Sequence, residues 1–149
     1  MWNKIYDTLV QFFAGLKWSA FMAQNNNDLA RATRLRNLFK NDLYASSGML
    51  TFFLMLILVL LYYFVLNRKG GSGYAFKIKY YFMVMFSGAL TVSLVMLYVS
   101  QTMTRGYSGL HPFKYCLGLA LTNLLYSMVL FFLLSILFKR ASVANTTPF

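Results

Sequence analysis

Apolar positions along this chain change their rhythm from one block to the next. Over residues 2–16, WNKIYDTLVQFFAGL, they recur at helical spacing. At about 100° per residue, Trp2, Ile5, Tyr6, Leu9, Phe12, Phe13 and Leu16 share an arc of roughly 120°, while Lys4, Asp7, Thr8 and Gln11 lie opposite. The pattern predicts an amphipathic helix with an unusually aromatic apolar side. Such a helix can lie flat in a membrane interface with that side in the headgroup and acyl boundary. It can equally dock on a partner, or bury the face within a small subdomain. A crossing helix over 5–23 is disfavoured because it would immerse Asp7 or Lys17.

A second helix is predicted over 29–42. Asp28 stands where an N-cap would, and an Asn run precedes it as a turn. Leu29, Ala32, Leu35, Phe39 and Leu43 share one broad face, and the helix carries Arg31, Arg34, Arg36 and Lys40.

Beyond this point the periodicity gives way to solid apolarity. Residues 43–67, 80–104 and 115–138 are uncharged runs of 25, 25 and 24 residues. A helix needs about 20 apolar residues to cross a bilayer. The fold class is therefore an all-α membrane protein: three transmembrane helices, preceded by an interfacial amphipathic helix and a short basic helix. The expected organisation is an N-terminal segment over 1–45, a membrane domain over 46–138 with spans at about 46–66, 80–103 and 114–138, and a polar tail over 139–149. Tyr62 and Tyr63 are placed at the far interface of the first span, where amphipathic rings collect.

Polar residues inside the runs mark contacts. In the second span Ser87 and Thr91 share one side, and Ala89, Ser93 and Ser100 the nearly opposite one. Neighbours are predicted on both. In the third, Cys116, Ala120, Asn123 and Ser127 recur at i, i+4, i+7 and i+11, within about 60° on the helix. Gly118 and Thr122 form a second small-residue pair. An unpaired amide in hydrocarbon costs several kcal/mol, so Asn123 must have a partner.

Composition narrows the chemistry. Of 149 residues, 59% are hydrophobic and 11% charged, against ~25% charged in an ordinary soluble domain. The net charge of +11 sits in clusters that flank the runs, as in membrane proteins, and not in a nucleic-acid-binding patch. Arg31, Arg34, Arg36, Lys40, Arg68, Lys69, Lys77 and Lys79 are candidate contacts for anionic lipid headgroups or for a partner. Trp2, Ile5, Leu9, Phe12, Phe13 and Leu16 are the apolar counterparts. Orientation is balanced. Arg31, Arg34, Arg36, Lys40, Arg105 and Lys114 make six basic residues on one side; Arg68, Lys69, Lys77, Lys79, Lys139 and Arg140 make six on the other. Exporting a basic N-terminal segment without a cleavable signal is the harder route, so a cytoplasmic N-terminus is expected. The expected location is a bacterial inner membrane, with an organellar membrane as the alternative.

No catalytic constellation, cofactor or metal site is predicted. Glutamate is absent, and one cysteine, Cys116, and one histidine, His111, build neither a disulfide nor a metal site alone. The Gly-rich hinge NRKGGSGYAFKIK lacks the strand that a phosphate loop needs. Two functions fit. One is a structural or anchoring subunit of a larger membrane assembly, which contacts other subunits through the Asn123 side of the third span and the aromatic helix. The other is a homo-oligomeric pore or permeabilising effector lined by weakly polar residues of spans two and three. A lipid-handling enzyme has only His111 and Asp42 to work with.

Overall fold

The computed structural model describes residues 2–66 and 78–139, and no strand occurs among them. The helices are α1 (Trp2–Ala14), α2 (Trp18–Gln24), α3 (Leu29–Asn37), α4 (Tyr44–Leu60), α5 (Ile78–Met103) and α6 (Phe113–Lys139). A wider π-helical turn, Leu38–Leu43, joins α3 to α4 without a break, and a second, Leu61–Leu66, extends α4. Three helices are long and apolar enough to cross a membrane: Asn26–Val65, Lys79–Met103 and Phe113–Phe138. The expected basic helix is thus the first part of the same rod as the first span.

The local signals act mostly as chemistry requires. Gly15 ends α1 at φ 66°, a left-handed conformation that glycine adopts without strain. The Gln11 side chain then builds the corner. Its Nε2 donates to the Asp7 carbonyl at 3.1 Å, and its Oε1 accepts from the Trp18 N–H at 3.1 Å, capping α2. The carbonyl of Pro112 accepts from the Tyr115 and Cys116 N–H groups and opens α6. Asp28 departs from expectation. It occupies the N-cap position, but its carboxylate pairs with Arg31 at 3.2 Å instead of a backbone N–H.

The chain divides into two compact units, and the division does not follow the sequence order. One comprises Met1–Met49 with Ser93–Asn123; the other takes in the described parts of Leu50–Val92 and Leu124–Phe149. The N-terminal segment therefore shares its unit with parts of α5 and α6.

In the first unit the core is Tyr6, Val10, Trp18, Phe21, Ala32, Leu35, Phe39, Leu43, Tyr44, Tyr115, Cys116 and Leu119. Its heart is aromatic. Trp18 lies flat on Tyr115, with centroids 3.9 Å apart and planes 5° from parallel. Phe21 meets both rings edge-on, and Phe39 tilts against both. Offset and edge contacts of this kind add about 0.5–1.5 kcal/mol per pair beyond area burial.

In the second unit Tyr62, Tyr81 and Phe131 form a smaller aromatic knot, with centroids 5.3–6.4 Å apart. Tyr62 and Tyr63 are both buried. Outward-facing positions of α4 through α6 carry large apolar residues, among them Met49, Phe53, Ile57, Met83, Leu94, Tyr98, Val129 and Leu137.

Two glycines set the closeness of helix packing, with unequal tolerance. A Cβ at Gly118 would stand 2.6 Å from the Val10 carbonyl oxygen and 3.1 Å from the Ala14 nitrogen, both backbone atoms. At Gly88 the obstacle is the Leu58 Cδ1, 2.7 Å away at the end of a mobile side chain. Gly118→Ala should therefore destabilise by about 2 kcal/mol through overpacking. Gly88→Ala should come within about 1 kcal/mol of neutral, since alanine also favours the helix. Thermal unfolding in one detergent distinguishes them; equal effects would contradict this difference in packing.

Candidate functional site

The most elaborate polar construction holds α1 against the rest of its unit. Two of its residues, Asp7 and Asn123, sit in apolar surroundings and need partners. Asn123 is fully buried. Its Oδ1 accepts from the Tyr6 hydroxyl, and its Nδ2 donates to the Leu119 carbonyl at 2.9 Å. Asp7 accepts from three donors. The Lys40 ammonium lies 3.0 Å from Oδ2, while the Trp18 indole N–H and the Tyr44 hydroxyl reach Oδ1 at 3.0 and 3.2 Å. Charge-assisted bonds of this kind are about twice as strong as neutral ones. Tyr115 completes the grip by donating to the Leu16 carbonyl at 3.1 Å.

These contacts define a direction. Tyr6 meets Asn123, Val10 and Ala14 meet Gly118, and Leu16 and Trp18 meet Tyr115. Successive positions of α1 thus meet successively earlier positions of α6, so α1 runs antiparallel along it. About 15 Å of α1 is matched by about 12 Å of α6. A helix laid across the end of α6 would touch it at one level only.

The face that seats overlaps the predicted aromatic arc at Tyr6 and is otherwise lined by small side chains. Tyr6, Val10 and Ala14 are buried, whereas Ile5 is 53% and Phe12 75% exposed; Leu9, Phe13 and Leu16 are half-buried. The side chain of Trp2 lies outside the described residues. Sequence reasoning missed Val10 and Ala14 because the large side chains dominate the apolar arc. The needed signal was Gly118, which admits a helix whose facing residues are small.

The predicted stripe on α6 is shared among different neighbours. Cys116 faces the hydroxyl of Thr104, the residue after α5, at 3.5 Å, and the Ala120 carbonyl accepts from Ser93 of α5 at 2.9 Å. Asn123 turns to Tyr6. Thr122 donates to the Gly118 carbonyl of its own helix, and Ser127 is buried in the second unit. Asn123, expected to meet another subunit, has a partner within its own chain. On α5, Ala89, Ser93 and Ser100 are buried as expected. Ser87 and Thr91 are exposed and donate to the Val84 and Ser87 carbonyls, so no helix among the described residues covers that side. Hydroxyls satisfied by their own helix need no neighbour.

Among the basic candidates, Arg31 and Arg34 are exposed, Arg36 is half-buried, and Lys40 is committed to Asp7. The Lys79 ammonium stands 5.0 Å over the Tyr80 ring. Arg68, Lys69 and Lys77 lie outside the described residues, as do residues 140–149. Arg105, His111 and Cys116 are among the residues lining a shallow cavity of 260 Å³ near the start of α6. No group of three His, Cys, Asp or Glu that could hold a metal ion occurs among the described residues.

Two measurements test the clamp. Asp7→Ala strands three donors and should cost roughly 3 kcal/mol, while Asp7→Asn keeps an acceptor and should cost about half as much; unfolding midpoints in detergent give the comparison. A double-mutant cycle of Tyr6→Phe with Asn123→Leu should return a coupling of about 0.6–2 kcal/mol, and additive effects would deny the bond. Comparison of the chain with known protein families, with curated proteins and with solved structures finds no match.

Proposed function

We propose that this chain is a non-enzymatic multi-pass membrane protein, serving as a structural, anchoring subunit of a larger membrane-associated assembly. The carrying observation is the continuous rod from Asn26 to Val65. Its first part presents Arg31 and Arg34 outward, while its later part is among the most apolar in the chain. The basic part does not hang from a hinge. Ala32, Leu35 and Phe39 are buried, and Phe39 packs on Trp18 and Tyr115. A basic face anchored in the core of its own unit suits a platform for anionic headgroups or for an acidic surface on another subunit. Nucleic acid is not among the proposed partners.

The pore reading draws less support from the geometry. A channel wall would use Asn123, Thr122 and Ser127, which face inward within a single chain and are buried there. Ser87 and Thr91 are exposed, but both hydroxyls are spent on their own helix.

Purification in mild detergent decides between these readings. The subunit reading expects a particle that contains other chains in fixed ratio with this one. It further expects Arg31→Glu with Arg34→Glu to reduce their recovery by about tenfold, equivalent to 1.4 kcal/mol of lost association. A particle built from this chain alone would reject the subunit reading.

A further inference from the structure

The unoccupied aromatic side of α1 raises the question of what covers it. The flat, interfacial placement that its amphipathic pattern predicts conflicts with the way α1 is seated. Its contacts climb α6 from Tyr115 through Gly118 to Asn123, the last of these about 15 Å along that helix from Phe113. A bilayer core is about 30 Å thick. A helix bound along a crossing helix shares its depth.

Resting on the membrane reading above, we propose that α1 is a partial span: it enters the acyl-chain region upright beside α6, N-terminal end deepest, with lipid chains covering Ile5 and Phe12. Three observations converge on this. Leu117 on α6, next to the Gly118 that Val10 and Ala14 meet, is an exposed apolar side chain near the level of Phe12. The one acid on α1, Asp7, is neutralised by Lys40 and two further donors, which removes the main cost of immersing it. The buried face is closed by backbone contact at Gly118, so α1 cannot turn its aromatic side inward without leaving its seat. Lys4 and Thr8 share this exposed side with Ile5 and Phe12; the Thr8 hydroxyl donates to the Lys4 carbonyl, and the four-carbon stem of Lys4 lets its ammonium reach toward a polar layer while its helix is immersed.

Depth-resolved quenching tests this. Ile5→Cys and Phe12→Cys are prepared in a Cys116→Ala background, labelled with a small fluorophore, and reconstituted into phosphatidylcholine–phosphatidylglycerol vesicles. The vesicles carry spin labels on either the fifth or the twelfth acyl carbon. Val129→Cys, at an exposed position farther along α6, serves as the reference. The partial span predicts that the ratio of deep to shallow quenching is about twofold higher at Ile5 than at Phe12, following the ~10 Å between them along the helix. Equal, shallow quenching at both sites would show a flat helix and overturn the proposal. Absence of quenching at both, with Val129 quenched, would show a protein or aqueous neighbour and overturn it equally. If Val129 also escapes quenching, the membrane reading itself fails.

Discussion

A carboxylate on a helix surrounded by apolar groups must be neutralised before anything else can settle, and Asp7 is the group on which the first unit turns. Three donors from two other elements converge on it: Lys40, Trp18 and Tyr44. Each of them also belongs to the hydrophobic construction or to the rod. Trp18 is the ring that Tyr115 stacks upon, Tyr44 packs on Tyr6 and Phe39, and Lys40 lies in the wide turn between α3 and α4. Satisfying one charge therefore ties α1 and α2 to the Lys40–Tyr44 stretch of the rod. Such a network is worth more as a specifier of geometry than as a source of stability, because desolvation offsets much of its Coulombic gain.

Small residues supply what the polar network cannot. Dispersion contacts fall off steeply with separation, and helices can approach closely only where side chains are absent. Gly118 brings the backbone of α1 into contact with α6. The polar bonds select the partner and the glycine sets the distance. Neither would do so alone, since Asn123 reaches α1 through the long Tyr6 side chain and would tolerate a wider gap.

Much of the architecture was legible in the residues. The three uncharged runs correspond to the three long apolar helices, and the basic segment over 29–42 is helical and continuous with the first of them. Asn123 was read as needing a partner, because the cost of burying an amide is independent of context. Which partner it has was not legible. Tyr6 was assigned to an apolar arc by its ring, and its hydroxyl, which makes the contact, carries no weight in a periodicity count. The same limitation hid Asp7. A charge on the polar side of an amphipathic helix reads as solvated unless Trp18, Tyr44 and Lys40 are known to lie nearby, and these are 11, 37 and 33 positions away. Tyr62 shows the same gap: a ring near the end of a span carries no mark in the sequence that it packs on Tyr81 and Phe131.

The wide turn at Leu38–Leu43 governs the azimuth of everything before it. Buried positions on the rod step from Ala32 to Leu35, Phe39, Leu43 and Ser47. A step of four in an even α-helix advances the seam by about 40°, and the slower winding of a π turn takes up that drift, so the seam stays straight. Regular winding through the same six residues would swing α3 by roughly 60° about the rod axis. Arg31 and Arg34 would then point elsewhere while every span kept its length and hydropathy. The compass bearing of the cationic surface is encoded in a single loosened loop of backbone, where no count of charges or apolar residues would register its loss.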